Sequence, residues 1–139
     1  MTTKMLKTNL AAIIVAAIGV TTVAAPAQAA GQVAINYAPS NADEAGMLGL
    51  GLQLFALFNG LNTSGANVIQ TGDNNAAGGS QQGSNNHGVI VQQGNGHTGT
   101  VRQQGNNNAC GVFQFGRNTN ATCDQSGNGQ TSVKTVFGF

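Results

Sequence analysis

Ser64 to Gln81 reads S-G-A-N-V-I-Q-T-G-D-N-N-A-A-G-G-S-Q, and the frame of this stretch decides the fold. A step of 22 residues carries Ser64, Gln70, Gly72, Asn75, Ala77 and Gln81 onto Asn86, Gln92, Gly94, His97, Gly99 and Gln103. A second step reaches Asn108, Gln114, Gly116, Thr119, Ala121 and Gln125, and a truncated copy opens at Gln130, with Val136 and Gly138 at the first Gln and the Gly positions. A fixed period of this length is the sequence form of a solenoid, in which no unit buries its own core and neighbours must stack.

Within each copy the residues alternate as strands do, so Ser64, Ala66, Val68 and Gln70 share one face and Asn75, Ala77, Gly79 and Gln81 another. Thr71, Gly72, Asp73 and Asn74 between them are turn formers. Each copy is therefore expected to be strand, tight turn, strand, folded so that Ala66 faces Gly79, Val68 faces Ala77, Gly88 faces Val101 and Ile90 faces Gly99. Each layer holds two small residues or one small and one larger, which lets the strands lie close. The glutamines should form two columns, Gln70, Gln92, Gln114 and Gln81, Gln103, Gln125, bonding along the stack. Asn67 should face solvent, together with Ile69, Val89, Val91, Gly111, Phe113, Val133 and Thr135. The fold class expected is all-β, a short β-solenoid able to stack further into cross-β structure, with copies at 64–85, 86–107 and 108–129 and a partial one at 130–139.

The frame Ser, five residues, Gln, one, Gly, two, Asn, one, Ala, three, Gln, met in full by Ser64 to Gln81, resembles the curlin repeat of curli fibre subunits. Later copies depart from it at His97, Thr119 and Gly99. The resemblance covers residues 64–139 and implies a secreted bacterial subunit that assembles into amyloid fibres used in adhesion and biofilm matrix. Its implied partners are copies of itself, other curli-type subunits or a nucleator, an outer-membrane secretion pore and periplasmic accessory proteins. The last copy turns Lys134 inward but is not otherwise basic, so a major-type subunit is preferred over a nucleator. A non-polymerising β-solenoid adhesin is the alternative from another class.

Composition points the same way. With 6% charged residues, 5% aromatic residues, no Trp and 21 Gly, an ordinary aromatic-centred core is excluded. Low-complexity disorder is the competing reading, but composition bias alone does not keep Gln and Gly in phase. Lys4 and Lys7 before an apolar run from Leu10 to Val23, then Ala27, Gln28 and Ala29, read as a signal peptide over residues 1–29. Beyond it, Arg102, Arg117 and Lys134 stand against Asp43, Glu44, Asp73 and Asp124, a net charge of −1 that argues for neither nucleic acid nor anionic lipid. Gln- and Asn-rich strands offer no apolar band for an outer-membrane barrel.

Residues 30–63 fit neither part. Ala30 to Ala45 reads as loose, and Met47 to Leu61 is a dense apolar block, strand-like at its start and helix-like over Leu54, Phe55, Leu57, Phe58 and Leu61. The preferred expectation is a cap over the exposed edge of the first rung, with membrane or partner docking as the alternative.

No enzymatic chemistry or cofactor is expected. Gly94 to Gly99 spells a dinucleotide fingerprint but falls on the repeat's own turn. His87, His97, Cys110 and Cys123 lack the close pairs of a zinc site. His97 is expected to be a satisfied polar side chain, and His87 to point outward. The fold-back pairing sets Cys110 opposite Cys123 in one layer, so an exported chain is expected to bridge them, with two buried thiols as the alternative.

Overall fold

A computed structural model describes residues 31–139; residues 1–29, expected from their sequence to be a signal peptide, lie outside the described residues. The order is β1 (Gln32–Tyr37), α1 (Ala42–Phe58), β2 (Gly65–Thr71), β3 (Ala76–Gln82), β4 (His87–Asn95), β5 (Thr98–Gln104), β6 (Ala109–Arg117), β7 (Asn120–Ser126) and β8 (Thr131–Gly138). The strands form a β-solenoid: the larger sheet runs β1-β8-β6-β4-β2 and the smaller β3-β5-β7. Parallel neighbours meet in the 22-residue register, Val68 on Ile90 on Val112 in one sheet and Ala77 on Gly99 on Ala121 in the other.

Six corners turn the chain, and they recur twice per rung. Gly72, Gly83, Gly94, Gly105, Gly116 and Gly127 all have positive φ, and two residues later Asn74, Asn85, Gly96, Asn107, Asn118 and Gly129 do so again. The corners stack so closely that a Cβ on Gly94 would strike the carbonyl of Gly116, and one on Gly105 that of Gly127. Glycine there answers both the left-handed backbone and the absence of space.

Between the two sheets lies a narrow core of Ile90, Val101, Cys110, Val112, Ala121, Cys123 and Val136. Its width is set by small residues in the expected layers. A side chain on Gly79 would collide with Ala66, and one on Gly88 or Gly99 would crowd Val101 or Ile90. At the layer of the cysteines the Cα atoms are 6.7 Å apart, well inside the ~10 Å of ordinary stacked sheets.

A second core lies on the other face of the larger sheet. The Met47 to Leu61 block is mostly helix, and the helix is laid across that face rather than over the first rung's edge. Leu52, Phe55 and Ala56 pack on Val89, Ala109, Phe113 and Val133, with Phe55 edge-on to Phe113 at 5.6 Å between ring centres. Gly111 leaves the room that Leu52 occupies. Among the described residues the fold is thus mostly β with one helix, and Val89, Phe113 and Val133 lie under that helix instead of facing solvent. Asn67 is likewise buried, donating to the carbonyls of Asn62 (2.9 Å) and Gly88 (3.3 Å) and accepting from Asn62 N–H. Once an outer face is covered, its polar side chains must bond inside the protein.

The helix is well terminated. Asn41 caps it by accepting from Glu44 N–H, while Glu44 accepts from the backbone N–H and hydroxyl of Ser40. That reciprocal bonding lowers the Glu44 pKa, the Ser40 backbone N–H being the largest cause. At the far end Leu61 N–H returns to the carbonyl of Ala56, and Gly60 takes positive φ. The 17-residue helix is about 25 Å long. It carries the chain from β1 at one edge of the larger sheet to β2 at the other, four strand spacings or about 19 Å away. The Ala30 to Ala45 segment, expected to be loose, thus contains the edge strand β1.

Candidate assembly interface

The inward glutamines align as two hydrogen-bonded columns. Gln70 Nε2 donates to Gln92 Oε1 at 2.7 Å and Gln92 Nε2 to Gln114 Oε1 at 2.9 Å. In the second column Gln81 donates to Gln103 at 2.5 Å and Gln103 to Gln125 at 2.8 Å. Each amide also ties the two sheets together: Gln92 Nε2 reaches Ala76 O, Gln103 His87 O, Gln114 Thr98 O and Gln125 Ala109 O, at 2.8 to 3.0 Å. Every glutamine-to-glutamine donation runs toward the C-terminal end, so the columns are polar. In the next place beyond Gln114 stands Val136, and beyond Gln125 its Nε2 meets the hydroxyl of Ser132 at 3.2 Å.

The corner residues stack as well. Asn86 and Asn108 donate to the carbonyls of Gly105 and Gly127, and their Oδ1 atoms accept from Asn108 N–H and Gln130 N–H in the rung beyond. Ser64, in the same phase of the first rung, is exposed. In the other corner column Asn75 donates to Gly94 O and accepts from His97 N–H. His97 is fully buried, its Nδ1 2.7 Å from the Thr119 hydroxyl and its Nε2 3.2 Å from Gln93 O. It therefore replaces an asparagine in the ladder without loss of bonding.

His87 points outward but is buried beneath α1, with Nε2 3.3 Å from the carbonyl of Leu52 and Nδ1 without a hydrogen-bond partner. Burial pulls its pKa below the usual imidazole value, against the raising effect of the Leu52 carbonyl. Cys110 and Cys123 are joined as a disulfide within the third rung. Lys134 turns inward past the last strand of the smaller sheet and donates to Thr122 O at 2.8 Å.

The two ends of the stack differ. At the first rung β2 and β3 are edge strands, with Val68 40% exposed although it faces the core side. At the last rung β7 is the edge of the smaller sheet, whereas β8 is covered by β1 in antiparallel register, Val33 on Phe137 and Ile35 on Thr135. The sequence reading missed two things: the half-rung spacing of the corner glycines, and β1. Six glycines from Gly72 to Gly127 at 11-residue intervals signal the first, and the alternation of Val33, Ile35 and Tyr37 with Gln32, Ala34 and Asn36 signals the second. No family model, curated protein or solved structure matches the chain.

Proposed function

We propose that this chain is a secreted structural subunit of curli-like extracellular amyloid fibres that grow by strand pairing between copies. The observation that carries the reading is a pair of polar glutamine columns inside a parallel stack whose first-rung strands, β2 and β3, have unpaired outer edges. An edge of unpaired N–H and C=O groups is a template for another strand. Here that template also presents amide acceptors: Gln70 and Gln81 donate onward, and their Oε1 atoms face the open end with no donor from the chain's own rungs. Low charge and amide ladders are the composition of stacked, in-register sheets. Secretion is inferred from residues 1–29.

The test is fibre formation by the purified chain beginning at Ala30. Fibres that bind amyloid dye and diffract at about 4.7 Å along the fibre axis are expected; a chain that stays monomeric at high concentration, with or without preformed seeds, overturns the reading. The nucleator alternative draws on the last half-rung, where Val136 ends a glutamine column and Lys134 lies inward. Substoichiometric seeding of a separate major subunit, with poor polymerisation alone, would select it.

A further inference from the structure

The edge of β8 is closed by a strand unlike the other described strands. β1 is the only antiparallel member of the described sheets. None of its residues is buried. Gln32, Ala34 and Asn36 are exposed, on the side where the smaller sheet ends at β7 and offers no opposing strand. Gln32 instead mimics a strand: its Oε1 accepts from Asn120 N–H at 2.9 Å and its Nε2 donates to Asn120 O at 3.4 Å, occupying the start of the β7 edge. Phe139 N–H closes the ladder on Gly31 O.

We propose that the β8 edge is the acceptor for β2 of a second copy, and that β1 is a displaceable cap that keeps it closed. The inference rests on the fibre reading and assigns its control to one strand. An incoming β2 offers what β1 lacks: the parallel register already used by β2 on β4, β4 on β6 and β6 on β8, together with a β3 and further rungs behind it. Continuing the frame sets Gly65 of the second copy on Thr131 and Thr71 on Phe137. The exchange replaces an exposed strand by one with a core on its inner face, which favours the copy once the cap has opened. One strand place then stands open in the smaller sheet between β7 and the incoming β3. β1, still tethered at Tyr37 and already bonded through Gln32 to Asn120, is the segment at hand to fill it.

The variant Val33→Pro with Ile35→Pro removes two backbone donors from β1 without touching the glutamine columns or the two cores. Its lag before fibre growth should be shorter by about tenfold, the factor carried by one or two ladder bonds. Gln32→Ala keeps every β1 backbone donor and should shorten the lag by less. A synthetic peptide of residues 31–37, added in excess to the proline variant, should lengthen its lag again. Growth of the parent chain with the same lag for both variants, or no effect of the peptide, overturns the cap and leaves the fibre reading intact. Failure of parent and variants alike to assemble overturns both. If the proline pair fails to fold, shown by loss of strand circular dichroism, the Gln32→Ala lag and the effect of the peptide on that variant decide.

Discussion

Gln92→Leu is the sharpest probe of the columns. Gln92 is fully buried, accepts from Gln70, and donates to Gln114 Oε1 and Ala76 O. Leucine fits the volume but supplies no donor. Gln114 keeps its own Nε2 bonds to Thr98 and Thr119, yet its buried Oε1 loses its donor, at a cost of about 1 to 3 kcal/mol. Gln70 stands on the open edge, where water replaces the lost acceptor, so it adds little in the isolated chain. Burying leucine returns part of the loss, and about 2 kcal/mol net is expected, roughly a thirtyfold fall in the folded-to-unfolded ratio. In urea, with the disulfide oxidised, the midpoint should drop by about 1 to 2 M at unchanged slope. Gln104→Leu is the control, because Gln104 is exposed on the outer face and bonds only weakly to Gln82 at 3.3 Å; its effect should stay within about 0.5 kcal/mol. Equal midpoints for the two variants would refute the claim that the inward amides hold the rungs.

Three further outcomes follow from the geometry. Because the His87 pKa is lowered in the folded chain, its contribution is intact above the unfolded value of about 6.5 and is lost as pH falls below that toward the folded pKa, where the unfolded chain binds the proton first. Urea midpoints should therefore decline between about pH 7 and pH 5, and His87→Gln should flatten that decline. Replacing both Cys110 and Cys123 by serine, which opens a link spanning 13 residues, should destabilise by about 3 kcal/mol on the chain-entropy argument, read as a lower thermal midpoint. Gly105→Ala should abolish the cooperative unfolding transition, since its Cβ would overlap the Gly127 carbonyl, whereas Gly129→Ala, with nothing within 4 Å, should cost only the strain of its φ of +68°, about 1 kcal/mol.

The solenoid was legible because its determinants repeat. Gln and Gly positions in phase set the register, and the alternation of small and large residues set the facing layers, so Ala66 with Gly79 and Cys110 with Cys123 followed from spacing. The second core was not legible, because it joins α1 to the outer face and no repeat encodes that contact. Val89, Phe113 and Val133 looked like irregular outward residues, and only the helix explains why they are apolar. The burial of Asn67 and of the outward-pointing His87 went unread for the same reason, their surroundings being supplied by residues outside the repeat. β1 carries a strand alternation of its own, but its partner lies at the opposite end of the chain, beyond what local pattern specifies.

Apart from β1, every strand in the two sheets pairs with the strand one period along, so each rung asks for the same modest loop closure and can form on its predecessor. The pairing of β1 with β8 joins the two extremes of the described chain. Shorter contact separations within the stack than at its closure predict a sequence of events in which the rungs zip first and β1 docks last. In that order, a folding chain passes through a period in which its stack is complete and its β8 edge still bare. Under the proposed fibre function, the duration of that period relative to the rate of encounter would set whether a copy joins a growing end directly or first folds into a closed monomer.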